Sequence, residues 1–151
     1  MKTALLEAGA MIAVGVAAGL AYNALAADGL YASVEEVVGP REIDVATAQR
    51  LLDEGALFVD ARFWWDYEAG HVPGALSLPV TEAGHAPELL GDVPRDRLLV
   101  TYCTGPPCDS GDGLARALMR EHGYRRVRVM TAGWPGWVAA GYAVERRQGH
   151  E

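Results

Sequence analysis

Two cysteines, Cys103 and Cys108, lie five positions apart in the stretch 100–118, VTYCTGPPCDSGDGLARAL, and they are the only ones in the chain. The elements around them give the first one chemical potential. Leu98, Leu99 and Val100 suit a buried strand. Gly105, Pro106 and Pro107 stop that strand. Ala115, Leu118 and Met119 fall at helical spacing, which predicts a helix restarting near Ser110, a good N-cap residue. Cys103 is thereby expected at a strand end facing a helix N-terminus, where backbone N–H groups and the helix dipole favour negative charge. A thiol so placed ionises readily and becomes a nucleophile. A cysteine after a strand is also an ordinary packing residue. The rest of the chain must decide between the two.

The chain has 151 residues, room for one ordinary domain, with 50% hydrophobic residues and eighteen glycines. A net charge of -7, with the acidic excess almost wholly after residue 27, argues against a nucleic-acid partner and is also ordinary for solubility. There is no C-x-x-C pair and no Cys/His cluster with zinc spacing. His71, His85, His122 and His150 are scattered, so no metal site is expected.

Residues 4–27, ALLEAGAMIAVGVAAGLAYNALAA, are almost uncharged apart from Glu7. The run from Ala8 to Ala27 is about long enough for a helix to cross a bilayer. Lys2 precedes it, while Asp28, Glu35 and Glu36 follow, which places the domain on the extracytoplasmic, periplasmic side of a retained anchor. Ala24-Leu25-Ala26 also fits an A-x-A cleavage site, which would give a secreted domain. A buried soluble helix is the third reading. Gly15 and Gly19 form a G-x-x-x-G pair of the kind that lets two anchors pack closely.

Residues 28–40 read as a linker and 41–147 as the domain. Ile43-Asp44-Val45 is expected as an edge strand, with Asp44 or Thr47 capping a helix that turns Leu51 and Leu52 inward and ends at Gly55. Ala56 to Val59 reads as a buried strand ending at Asp60-Ala61-Arg62. A short helix follows at Phe63 to Ala69, a turn at Pro73-Gly74 and a strand at Ala75 to Leu78. Residues 81–96 are punctuated by Gly and Pro, with one helical turn at Pro87 to Leu90. After the cysteine helix, closed by Gly123, come a last strand at Val127 to Met130 and a final helix within 131–142. Strands alternating with helices predict an α/β fold with a central, largely parallel sheet. Ligands of such sheets bind beyond the C-terminal strand ends. Asp60, Cys103 and Thr131 all stand at such ends, which favours chemistry at Cys103 over mere packing.

Residues 43–144 resemble the rhodanese-like domain family of sulfurtransferases. Val59-Asp60-Ala61-Arg62 resembles the family's Asp-x-Arg, and Tyr67-Glu68-Ala69-Gly70-His71-Val72-Pro73-Gly74-Ala75 its G-H-I-P-G-A signature. Tyr102-Cys103 matches the strand-end cysteine. Gly133-Trp134-Pro135-Gly136-Trp137 and Ala140-Gly141-Tyr142 resemble its closing segment. The resemblance implies a single domain whose cysteine loop is the active site. It also implies that the cysteine accepts sulfane sulfur from thiosulfate or a low-molecular-weight persulfide and passes it to an acceptor thiol. No metal or organic cofactor is implied. The loop must surround the sulfur with N–H groups; Thr104, Gly105, Cys108 and Asp109 are the expected donors, and the Ser110 hydroxyl is within reach of the same cradle. Asp60 and Arg62 are expected either to line the pocket or to brace neighbouring loops.

The loop departs from the family. Cys108 stands where an arginine that grips the anionic donor is usual, and the nearest downstream arginine, Arg116, is already inside the helix. Pro106 and Pro107 carry no N–H, and Asp109 and Asp112 add negative charge. Each change weakens the hold on an anion and tells against a phosphatase. A C-x-x-x-x-C pair in one curled loop brings its Cα atoms within disulfide reach, about 4.4 to 6.8 Å. Cys108 is therefore expected to resolve a Cys103 persulfide, to relay its sulfur, or to form a merely structural disulfide. A catalytically silent partner-binding module and a dithiol/disulfide oxidoreductase are the competing functions. His71 reads as a turn histidine bonded to backbone. Trp64, Trp65, Trp134 and Trp137 read as packing residues or as an aromatic wall for a partner. Arg125, Arg126 and Arg128 read as a solvated basic cluster.

Overall fold

A computed structural model describes residues 39–146. The expected linker start and the apolar run at 4–27, with its anchor, signal-peptide and buried-helix readings, lie outside the described residues. Among the described residues no helix is long and apolar enough to cross a membrane.

Five strands form one sheet in which every pairing is parallel. They are β1 (Arg41–Ile43), β2 (Leu57–Asp60), β3 (Leu76–Ser77), β4 (Leu99–Tyr102) and β5 (Val127–Met130), in spatial order β1-β5-β4-β2-β3. The helices are α1 (Val45–Asp53), α2 (Trp64–Ala69), α3 (Ala86–Leu90), α4 (Asp109–Arg120) and α5 (Gly133–Ala139), with a 3-10 segment at Val80–His85.

The central strand β4 is buried along its whole length, as a parallel strand covered on both faces must be. Its side chains divide by strand alternation. Leu99 joins Val59, Leu114, Leu118, Val127 and Val129 in the core under α4. Val100 and Tyr102 join Phe58, Met130 and Trp137 in the opposite core, against which α1 also packs. Thr101, on the α4 side, donates its hydroxyl to the Gly111 carbonyl at 2.8 Å. This bond ties the first turn of α4 to the strand that delivers Cys103.

Several boundaries differ from the sequence reading. Asp44 is not in the edge strand, which is Arg41–Ile43; it caps α1, its carboxylate accepting the Thr47 N–H at 2.7 Å. That bond holds its pKa below the ordinary carboxylate value. β3 is two residues long: the Ala75 N–H turns back to the Val72 carbonyl at 3.0 Å, and the Leu78 N–H makes a last bond to β2 at the Asp60 carbonyl. The stretch expected to hold one helical turn carries the 3-10 segment and α3 in succession. α4 begins at Asp109 rather than Ser110, with Cys108 as N-cap and no side-chain capping bond. Asp109 and Asp112 thus fall in its first turn, where negative charge suits the dipole.

Candidate active site

Cys103 leaves β4 at its C-terminal end and is 2% exposed; Cys108, at the start of α4, is 9% exposed. The two are joined in a disulfide with Cα atoms 5.6 Å apart. The loop between them is held from α5. The Trp134 N–H donates to the Cys103 carbonyl at 2.7 Å. Gly133, at φ +57, lies so close that a Cβ there would come within 2.6 Å of the Cys103 carbonyl oxygen and 2.7 Å of the Gly105 nitrogen. Only glycine fits both that backbone conformation and that approach.

The two sulfur residues line different clefts. Cys103 lines a cavity of about 120 Å³ together with Ala61, Arg62, Phe63, Val80, Thr104 and Ser110. Cys108 lines a wider one of about 390 Å³ with Glu42, Asp109, Arg116 and Thr131. Of the residues named from sequence, Thr104, Ser110 and Arg62 therefore meet Cys103. Asp109 lies on the Cys108 side, and Gly105 and Asp60 line neither cleft.

In this disulfide state no N–H among the described residues donates to the Cys103 sulfur. Among the described residues the Cys103 sulfur lies 3.5 Å from the Gly105 carbonyl oxygen. A disulfide sulfur is neutral and does not draw amides, and Pro106 and Pro107 have none to give.

Asp60 and Arg62 brace. Asp60 is fully buried and takes the Arg62 guanidinium through two oxygens, with Nη2 at 2.6 Å from Oδ2 and Nε at 2.9 Å from Oδ1. Arg62 Nη2 also donates to the Gly70 carbonyl at 2.6 Å, and its guanidinium lies over the Trp134 ring at 4.7 Å. Burial pulls the guanidinium's pKa down, but the hydrogen bonds and charge of Asp60 outweigh it and hold it above the ordinary value. Arg62 is the one cation among the described residues lining the Cys103 cleft, and its charge is already neutralised. Arg116 is likewise engaged, with Nε 2.6 Å from Asp112.

His71 bonds backbone. Its Nδ1 lies 2.8 Å from the Tyr67 carbonyl, its ring stacks on Tyr67 at 3.7 Å, and its main chain pairs with Glu145. Trp137 is fully buried and donates its ring N–H to the Ala143 carbonyl at 2.8 Å, whereas Trp64 and Trp65 are exposed. The residues missed from sequence are Gly133, Trp134 and Gly111 as loop supports, and Phe63, Asp66 and Val80 as cleft walls. Gly133-Trp134 carried a signal in the closing motif; the walls carried none, because they follow strand ends that only the sheet order brings together.

The model of the rhodanese-like domain matches residues 44–140, well over half of the chain. This chain belongs to the rhodanese-like domain family. Among curated proteins, the rhodanese-like chain is 32% identical over 113 residues to an HTH-type transcriptional regulator of Mycobacterium tuberculosis, covering 73% of this chain and 48% of that protein. It is 35% identical over 86 residues to the tRNA uridine(34) hydroxylase of Pectobacterium atrosepticum, covering 54% of this chain and 23% of that protein. It thus spans about half of the first relative and about a quarter of the second. Among solved structures, thiosulfate sulfurtransferase from Pseudomonas aeruginosa superposes with a TM-score of 0.62 at 24% identity, over 78% of this chain and 22% of that one. That likeness establishes the fold: one α/β rhodanese-like domain with a central parallel sheet and flanking helices.

Proposed function

We propose that this domain is a sulfurtransferase in which Cys103 carries sulfane sulfur as a persulfide and Cys108 resolves it. The observation that supports this most is the placement of the Cys103–Cys108 pair: two sulfurs within bonding reach, at the strand end of a rhodanese-like sheet, the first opening on a small cleft. In the forward step the Cys103 thiolate attacks the outer sulfur of a persulfide R–S–SH. The S–S bond breaks, R–S⁻ leaves and takes up the proton, and Cys103 holds the extra sulfur. The Cys108 thiol then gives its proton to the outgoing sulfur as its own sulfur attacks the Cys103 sulfur, and the extra atom leaves as hydrosulfide. Two thiols are oxidised to the disulfide, and the sulfane sulfur is reduced. An external dithiol resets the pair.

The donor class follows from charge. Thiosulfate is a dianion, and Arg62, the cation on the Cys103 cleft, is neutralised by Asp60 while Asp66 sits on the same wall. A thiol-borne persulfide, with at most one charge at its reacting end, suits these walls better. No metal or organic cofactor enters any step. The retained membrane anchor and extracytoplasmic placement read from residues 4–27 belong to the same proposal, and protease accessibility in intact cells tests them.

A second reading, dithiol/disulfide exchange with protein thiols, is favoured by the closed pair itself. Comparing wild type with Cys108→Ser separates the two. Sulfur carriage predicts that the reduced wild type, given glutathione persulfide, releases hydrosulfide and returns to the disulfide, while the variant retains the added sulfur. Pure exchange predicts no retained sulfur in either.

A further inference from the structure

Beside the Cys103 cleft stands an exposed aromatic ridge that the chemistry above does not use. Phe63, Trp64 and Trp65 are 49%, 57% and 51% exposed. Phe63 stacks on Trp65 with ring centroids 4.5 Å apart, and Trp64 meets Trp65 edge-on at 5.6 Å. α2, which carries both tryptophans, buries none of its residues. Half-exposing three such side chains leaves on the order of 300 Å² of aromatic surface in water, a patch of the size that marks contact sites. The ridge is continuous with the reacting site, because Phe63 also lines the Cys103 cleft.

We infer that this ridge docks a protein segment that presents a cysteine side chain to Cys103, flanked by apolar and basic residues. Two observations select that occupant. The cleft of about 120 Å³ is far below the roughly 300 to 1,000 Å³ of sites that enclose a whole small molecule, so only the tip of a carrier fits and the carrier lies on the rim. The rim's charge is acidic: Asp66 lines the cleft and Glu68 follows on the same short helix, while Arg62 is neutralised. Apolar contact on the ridge with positive charge beside it complements this surface.

The inference rests on the proposed function only in taking Cys103 as the reacting sulfur. In the exchange step the carrier thiolate attacks the Cys103 sulfur, the bond to Cys108 breaks, and Cys108 leaves as a thiolate that takes up the carrier's proton. A second carrier thiol attacks the carrier sulfur of the mixed disulfide, giving the carrier disulfide and two reduced cysteines. In sulfur transfer the carrier brings a persulfide and leaves as a thiol.

The test uses the full chain as Cys108→Ser, so that Cys103 stays a free thiol, and two peptides activated as 2-thiopyridyl disulfides. One has leucine and lysine flanks, the other serine and lysine flanks, so that the two differ only in the apolar contact. Cys103 attacks the peptide sulfur and releases pyridine-2-thione, read by absorbance. We expect the leucine/lysine peptide to react roughly tenfold faster than the other, and Trp64→Ala with Trp65→Ala to bring the two within about twofold. The rate with 2,2′-dithiodipyridine, too small to reach the ridge, stays unchanged and reports an intact cleft. Equal peptide rates before the tryptophan changes, or a preference that survives them, overturns the inference. So does a pair of changes that leaves peptide rates alone but releases the chain from phosphatidylcholine vesicles, since the ridge would then be a lipid contact. Peptide preference without sulfur loading from glutathione persulfide would leave the docking surface standing and remove the sulfur-carrier reading; loading without preference would do the reverse.

Discussion

Cys103 and Cys108 share one bond but line two separate clefts, the first narrow and partly aromatic, the second wider and lined by acidic and hydroxyl groups. The pair thus has two faces toward solvent. On the sulfurtransferase reading proposed above, a donor would meet Cys103 from one side and a reductant would reach Cys108 from the other.

The loop that holds Cys103 depends on Gly133. Gly133→Ala would force a left-handed conformation on a side-chain-bearing residue and drive its Cβ into the Cys103 carbonyl. We expect persulfide loading to slow on the order of a hundredfold, since small displacements of reacting groups have that effect, while the far-ultraviolet dichroism is kept. Loading at the wild-type rate would show that the α5 contact does not position the cysteine.

Asp60 and Arg62 stabilise one another below the cleft. Asp60→Asn leaves the guanidinium charge buried and poorly paired, and the loss should be about 3 to 5 kcal/mol in urea unfolding. An unchanged midpoint would mean that the bonds to Gly70 and Trp134 suffice to hold Arg62.

Tyr102 gives the fold an alkaline limit. The side chain is fully buried, and desolvation, then the Asp60 charge, raise its phenol pKa well above the ordinary value. The folded state therefore keeps a proton that the unfolded chain releases above about pH 10. The stabilisation is whole below that pH and falls as pH rises, by up to about 1.4 kcal/mol per unit. Tyr102→Phe should flatten this limb, measured by urea unfolding between pH 9 and 11, although it removes the acceptor of the Val72 N–H at 3.2 Å. A slope identical to wild type would contradict the assignment.

Much of this architecture was legible in the residues. Leu98 to Val100 and Ala56 to Val59 announce strands by unbroken apolar runs, Val127 to Met130 by an apolar run broken only at Arg128, and the helices between them require a parallel sheet. Asp60-Ala61-Arg62 left two readings open, bracing and pocket lining; Asp60 braces Arg62, and Arg62 also lines the cleft. The cleft was not legible. Ser110 was expected beside Cys103, but Phe63, Asp66 and Val80 line its cleft from two other chain segments, and no local period encodes their meeting. The amide cradle was read for a thiolate, whereas the structure holds the disulfide. With the sulfurs bonded to each other the charge that would organise such a ring is gone. The exposure of Trp64 and Trp65 was hidden for a different reason, since large aromatic residues are buried by default and only the placed helix shows which side they face.

The most direct measurement is the intact mass of the reduced full chain after incubation with glutathione persulfide, with the modified residue located by fragmentation. We predict a gain of one sulfur atom on Cys103 in Cys108→Ser, and none in Cys103→Ala. No gain on Cys103, or a gain carried by Cys108 alone when Cys103 is absent, would contradict Cys103 as the carrier.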